Sequence, residues 1–245
     1  MLNLRTEIEK ERHFKAIEQG RGGWQQFTFQ AFKKALFDMF NNGQVDQQPL
    51  VEAYEKVFGT VGTAFAEKVM AMFKQGDQQA RITKQAELAI AIQQQLTAWV
   101  ALNMMDIIEA ATLATQQSIA KNIRELQQNP KISPEQFEKL LRKRYRTIAI
   151  ARASTFARTE TIRASNKGLL FGAAATGVPL QKVWVSVRDS RTRDETYNHI
   201  RPDGQVRDLS QPFVVSGEYL QFPAGPAGSP GNTVNCRCTI SFNTY

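Results

Sequence analysis

Two cysteines, Cys236 and Cys238, stand one residue apart in the run Asn235-Cys236-Arg237-Cys238. If that run is extended, residues at i and i+2 point to one face, so both sulfurs can reach a single metal ion. A disulfide across one intervening residue would need a strained small ring, which makes a metal the better use of the pair. His199, with Asp189 and Asp194, would then have to complete a tetrahedral zinc site, and the set is short of at least one soft ligand. The alternative is that two small, oxidisable residues pack under a loop while His199 caps a turn. Because no other cysteine occurs, a secreted disulfide framework is excluded.

The run Arg188-Asp189-Ser190-Arg191-Thr192-Arg193-Asp194-Glu195 alternates charge densely. Such runs are usually solvated loops. The functional reading is that Arg191 and Arg193 hold Asp189, His199 and nearby main chain in a fixed network. Upstream, Ala157-Arg158-Thr159-Glu160-Thr161 contains the only acid between Glu138 and Asp189. Glu160 has Arg163 three residues on, an ordinary surface pair worth a few tenths of a kcal/mol, or else it marks a contact between this helix and the C-terminal unit. No nucleophile, base and orienter stand together in any of these runs.

The net charge is +8, and its distribution says more than its size. Residues 1–120 balance at −1, residues 121–180 at +8 and residues 181–245 at +1. The excess is therefore one basic surface, which calls for an anionic partner. Lys139, Arg142, Lys143, Arg144, Arg146 and Arg152 carry it, with Arg158 and Arg163 beyond them. A roughly linear array of this kind suits phosphate contacts to DNA or an acidic protein surface, and no base-reading motif accompanies it.

The elements that must position these residues follow from periodicity. Phe29, Phe32, Leu36 and Met39 or Phe40 make one helical stripe from Trp24 onward, stopped by Asn41-Asn42-Gly43. A second stripe runs from Leu50 through Tyr54, Val57, Phe58, Val61, Phe65 and Val69 to Phe73, ending near Gly76-Asp77. Gly59 and Gly62 within it either lower local stability or allow close helix approach. A third segment, Thr83 to Leu126, would reach ~66 Å if unbroken, a length suited to a bundle or an assembly arm.

Asn129-Pro130 closes that segment, and Ser133-Pro134-Glu135-Gln136 opens the next with a cap, a first-turn proline and a capping-box glutamine. This helix is predicted to run to Gly177, burying Phe137, Leu140, Leu141, Ile148, Phe156 and Ile162, with the basic residues on its other faces. From Leu180 the period becomes two, with Val183, Val185 and Val187 on one face and Trp184 and Ser186 on the other. Short strands follow at Phe213–Val215, Glu218–Leu220 and from about Arg237 to Phe242, with a turn at Asp203-Gly204 and a glycine and proline loop from Pro223 to Gly231.

The fold class is therefore α+β: a helical N-terminal half of long helices, then a small C-terminal unit of a basic helix and short antiparallel strands. We place the boundary between residues 1–128, a helical assembly region, and 129–245. The hydrophobic fraction of 42% supports packed cores rather than disorder. The first residues lack the apolar run of a signal peptide, and the apolar stretch around Trp99-Val100-Ala101-Leu102 is cut by Asp106 and Glu109 before a bilayer span is reached. A soluble protein without membrane partners, intracellular at synthesis, is the expectation.

The motifs also occur in a distinctive order. Ala157-Arg158-Thr159-Glu160-Thr161, Asn166 with Gly168, Gly177-Val178, Lys182-Val183-Trp184 and Asp189-Ser190-Arg191-Thr192-Arg193 are followed by His199, Asp203-Gly204-Gln205, Phe213, Gly217-Glu218, Pro223 and Asn235-Cys236-Arg237-Cys238-Thr239. That order resembles the phage Mu F-like minor head proteins, also called phage head morphogenesis proteins, over about residues 120–245. The resemblance implies a structural virion protein assembled with the procapsid and lying in the capsid interior. Its implied partners are the portal protein and other head proteins, with DNA as a contact of the basic helix.

Many members of that family carry a Cys-x-x-Cys pair where this chain has Arg191 and Arg193, so the implied metal set here is Cys236, Cys238, His199 and Asp189, with zinc as the ion. No enzyme activity follows from the resemblance. The rivals are a metal-dependent hydrolase, a plain DNA-binding protein and an ADP-ribosyltransferase-like enzyme. Arg158-Thr159-Glu160 looks like a transferase signature, but the Ser-Thr-Ser strand and the acidic loop expected beside it are missing, and only Glu195 and Glu218 stand in the C-terminal part.

Overall fold

The computed structural model describes residues 7–39, 46–73, 79–129 and 131–245, with the backbone course alone for 7–14, 18 and 79–86. Helix α1 (Glu7–Asp38) starts well before the stripe that begins at Trp24. Phe32, Leu36 and Met39 are buried, and Phe29 is half-buried on the same side. Helix α2 (Gln48–Val57) opens on Pro49 and passes through a π-helical turn, Phe58–Gly62, into α3 (Thr63–Phe73). The predicted stops at Asn41-Asn42-Gly43 and Gly76-Asp77, and Pro130, lie outside the described residues.

The π turn settles what Gly62 does. A Cβ placed on Gly168 would lie 2.0 Å from the Gly62 carbonyl oxygen, and one on Gly172 would lie 2.4 Å from that of Ala66. Glycine at 168 and 172 therefore lets the backbones of two helices touch, the close approach anticipated for Gly62.

The third segment is not one rod. It divides at Met104 into α4 (Gln79–Asn103) and α5 (Met105–Gln127), with a 58° bend between Glu87–Asn103 and Met105–Gln127. Met104 is fully buried at the corner, so its side chain plugs the core where the helix turns. Burial of the Val100, Met104 and Ile108 side chains outweighs the small cost of interrupting the ladder. No single helix among the described residues is long and apolar enough to cross a membrane.

Helix α6 (Pro134–Ala175) is the spine of the molecule. Its start is the predicted capping box: Ser133 Oγ accepts from the Gln136 amide and Gln136 Oε1 accepts from the Ser133 amide. Its last residue, Ala175, is two residues short of the predicted Gly177, which takes φ +67° just past the cap. Along its second half the helix is buried on nearly every side, from Thr159 to Leu170 without a break. Such all-round burial places charged and polar residues in the core.

Strand β1 (Leu180–Val185) is the centre of an antiparallel sheet ordered β2 (Val206–Asp208), β1, β5 (Thr239–Thr244). Val183 pairs with Val206 and Ser241, and Trp184 with Ile240. Both faces of β1 are covered, since Val183, Trp184 and Val185 are all buried. β2 was not anticipated beyond the turn that precedes it. Strands β3 (Phe213–Val215) and β4 (Glu218–Leu220) form a hairpin across Ser216-Gly217, both at positive φ as a type I′ turn requires. A short helix, α7 (Pro230–Thr233), lies inside the predicted glycine and proline loop. The last strand begins after the cysteines, at Thr239 rather than Arg237.

One continuous cluster of buried residues joins Phe32, Tyr54 and Phe65 of the early helices to Ile162 of α6 and to Trp184, Phe213, Phe222 and Ile240 of the C-terminal unit. The helices and the small sheets thus share one core.

Candidate functional site

The segment between α7 and β5 is extended through Cys236 and Cys238, and it carries both sulfurs to one side as i, i+2 spacing demands. His199 arrives from the loop after β1. Its Nδ1 lies 3.6 Å from each sulfur, and the three ligand atoms all fall within 4.8 Å of one another. All three residues are at most 2% exposed. Zinc with bonds of ~2.3 Å to sulfur and ~2.0 Å to nitrogen would separate a tetrahedral S and N by ~3.5 Å, so the donor set fits that ion.

The imidazole is set for it. Asn232 directs its amide nitrogen to the Val215 carbonyl, so its Oδ1 is left to face His199 Nε2 at 3.2 Å. An oxygen acceptor there calls for an N–H on Nε2, which turns Nδ1 toward the sulfurs. Between the sulfurs, a hydrogen bond from Cys238 holds the Cys236 thiol well below its ordinary range, with His199 assisting against burial. That same bond, and burial, push Cys238 up. Cys236 is thus the more acidic of the two thiols.

Asp189 does not join the group. Arg237 reaches it through both terminal nitrogens, Nη1 at 2.8 Å from Oδ2, and Arg191 lies 3.5 Å away. The Arg237 guanidinium, with the Arg191 amide and the Thr192 hydroxyl, holds this carboxyl far below the usual carboxylate range. Asp189 as a metal ligand is therefore corrected: its oxygens are committed to arginine at the surface. Asp194 is exposed and also stands outside the group. Among the described residues no fourth histidine, cysteine or acid completes it.

Arg191 and Arg193 act in part as expected. Arg193 donates to the Val234 carbonyl, and its own carbonyl accepts from the His199 amide at 2.8 Å. That pins the histidine loop to the cysteine segment. Arg237, between the cysteines, was missed as the main holder of Asp189, although an arginine flanked by two ligand candidates was a visible signal.

The Arg158 to Asn166 run of α6 forms the platform beneath. Arg158 Nε donates to Asn235 Oδ1 at 2.8 Å, and the Thr159 hydroxyl accepts from the Asn235 amide at 3.0 Å. Glu160 and Arg163 are not a surface pair. Their side chains are 2% and 3% exposed, and Arg163 also donates through Nε to the Ala224 carbonyl. Burial pushes the Glu160 carboxyl up, and the Arg163 guanidinium opposes that. Asn166 donates to the Pro223 and Cys238 carbonyls, and its Oδ1 accepts from Arg21 of α1. Arg21 was not singled out in the sequence, since one arginine in a polar stretch gives no sign of burial.

Further up α6, Lys139, Arg142, Lys143 and Arg146 are exposed at i, i+3, i+4 and i+7, so they line one face. Arg144 is turned instead to Glu125 and Asn122 of α5, and Arg152 donates to the Ala114 carbonyl and Ser118. The six-residue basic array is therefore corrected to a four-residue stripe plus two clamps between helices.

A helical body whose longest helix threads under a small antiparallel unit, with a Cys2His group where they meet, defines an α+β structural module. Residues 131–241 match the model of a family described as Phage Mu protein F like protein, a little under half of the chain. The match falls on the stretch that carries the motif resemblance, and over those residues it supports likeness to the phage head morphogenesis proteins. No curated protein and no solved structure matches the chain.

Proposed function

We propose that the protein is a minor capsid component that binds the portal during procapsid assembly and faces the capsid interior, with the Lys139, Arg142, Lys143 and Arg146 stripe turned to packaged DNA. The observation that carries the DNA contact is the single exposed face those four residues share over ~10 Å of helix, a run matched to consecutive phosphates. The Cys236, Cys238 and His199 group would hold one zinc ion, whose role is to lock the histidine loop and the cysteine segment onto α6.

Co-expression with the portal and coat proteins, followed by particle purification, tests the reading. The protein should co-purify with particles, and its absence would defeat the assignment. For the stripe, log affinity for duplex DNA should fall with log salt by about 0.9 per phosphate contacted, and the slope should flatten in a Lys139→Ala, Lys143→Ala variant. A flat salt response in the unaltered protein would remove DNA as the partner of the stripe.

A further inference from the structure

Against the cysteine and histidine group, and sharing His199 and Cys238 with it, lies a hollow of about 250 Å³ whose arginines the head-protein reading does not use. Its walls come from separate parts of the chain: Arg158 of α6, Arg191 and Arg193 of the loop after β1, Arg237 between the cysteines, and His199 and Cys238 of the donor group itself. Four guanidiniums therefore converge on one concavity, and no carboxylate lines it. Asp189 reaches two of them, Arg237 and Arg191. Asp194 and Glu195 border a different hollow with Arg193.

Like charges disperse into water unless something holds them. Here Asp189 holds Arg237 and Arg191 at the edge, and neutral groups hold the other two: Asn235 Oδ1 accepts from Arg158, and the Val234 carbonyl accepts from Arg193. A guanidinium has five N–H donors, so the contacts of Arg158 and Arg193 leave donors to aim at a ligand. Arginine rather than lysine at all four positions suits forked hydrogen bonds to phosphate oxygens. The volume is below the ~300 to 1,000 Å³ of sites for whole small molecules, and it accommodates a phosphate with part of its ester. A carboxylate, planar and singly charged, would leave most of these donors unanswered.

We propose that this hollow is a phosphate-binding pocket in which Arg158, Arg191, Arg193 and Arg237 hold the phosphate oxygens. It is distinct from the DNA-facing stripe, since Arg158 lies twelve residues beyond Arg146, ~18 Å along α6. The phosphate would be either free phosphate or the backbone of a nucleic acid strand.

Titration calorimetry of the full chain tests it, with inorganic phosphate, a thymidine dinucleotide bearing only its internal phosphodiester, and the same dinucleotide with a 5′-phosphate. Inorganic phosphate is expected to bind with a dissociation constant below ~1 mM. Arg191→Ala and Arg158→Ala, at exposed side chains outside the core, should each weaken it about tenfold. Lys143→Ala on the stripe should leave it unchanged. Binding of the unphosphorylated dinucleotide assigns the pocket to nucleic acid backbone, and binding confined to the other two probes assigns it to free phosphate. Absence of binding by all three, equal affinity in the Arg191→Ala variant, or an equal loss in Lys143→Ala would overturn the pocket. So would tighter binding of a hexaglutamate peptide, which would make it a carboxylate site.

Discussion

Arg163 embraces Glu160 one turn earlier on the same helix, with Nη1 2.6 and 2.7 Å from the two carboxylate oxygens, and both side chains are sealed in the core. The Tyr54 hydroxyl adds a longer contact of 3.4 Å to the same carboxylate. The pair ties α6 to α2 and, through the Ala224 carbonyl, to the loop before α7. Removing one partner leaves a buried charge without its counterion. Glu160→Ala is expected to cost about 3 to 5 kcal/mol in denaturant unfolding. Replacing both residues with Met should recover most of that loss, and a double variant no better than the single would refute the account.

Two kinds of helical glycine should respond oppositely to alanine. Gly168 meets the Gly62 carbonyl, so Gly168→Ala must push α6 away from the π turn, at a cost of about 1 to 3 kcal/mol or more. Gly22 of α1 has open space where its Cβ would lie, so Gly22→Ala should stabilise by about 0.5 to 1 kcal/mol. Thermal unfolding of the two variants decides between them.

Purified protein is expected to carry one zinc per chain by elemental analysis. Cys238→Ser should abolish it, whereas Asp189→Asn should retain it because Asp189 is engaged with Arg237. Chelation should lower the melting temperature, since the ion would join segments far apart in the chain. Zinc lost equally in Asp189→Asn would restore that carboxylate as a ligand.

Burial pulls the Lys167 and Lys182 ammonium groups down to about 8 each, with Lys167 itself depressing Lys182 further. Lys167 sits against the rings of Trp99, Phe171 and Phe222, and Lys182 donates to the Gln221 carbonyl and side chain. Unfolded lysine holds its proton to ~10.4, so between pH 8 and 10 the unfolded chain binds more protons. Stability from these groups should rise with pH across that window and be level below it. Cysteine and tyrosine titrate nearby, so the reading is a comparison: Lys167→Met should show a shallower rise than the parent. An identical pH profile would show that Lys167 is not depressed.

Much of the local structure was written in residue order. The Ser133 to Gln136 box set the start of α6, and the change from period 3.6 to period 2 at Leu180 set where helix gives way to strand. Cys236 and Cys238 declared themselves by type and spacing. These signals are short-range, because caps, turns and side-chain alternation depend on neighbours within a few residues. Other features depended on partners far along the chain. Met104 breaks a helix because a core surrounds it, Arg163 is buried because Ala224 offers a carbonyl 61 residues away, and Asp189 answers Arg237 rather than a metal. Residue order determined most of the elements, the basic segment and the paired cysteines. Tertiary structure alone decided which charges are buried, which line a face and which converge on a pocket, since a side chain's solvent and counterion are set by what packs against it.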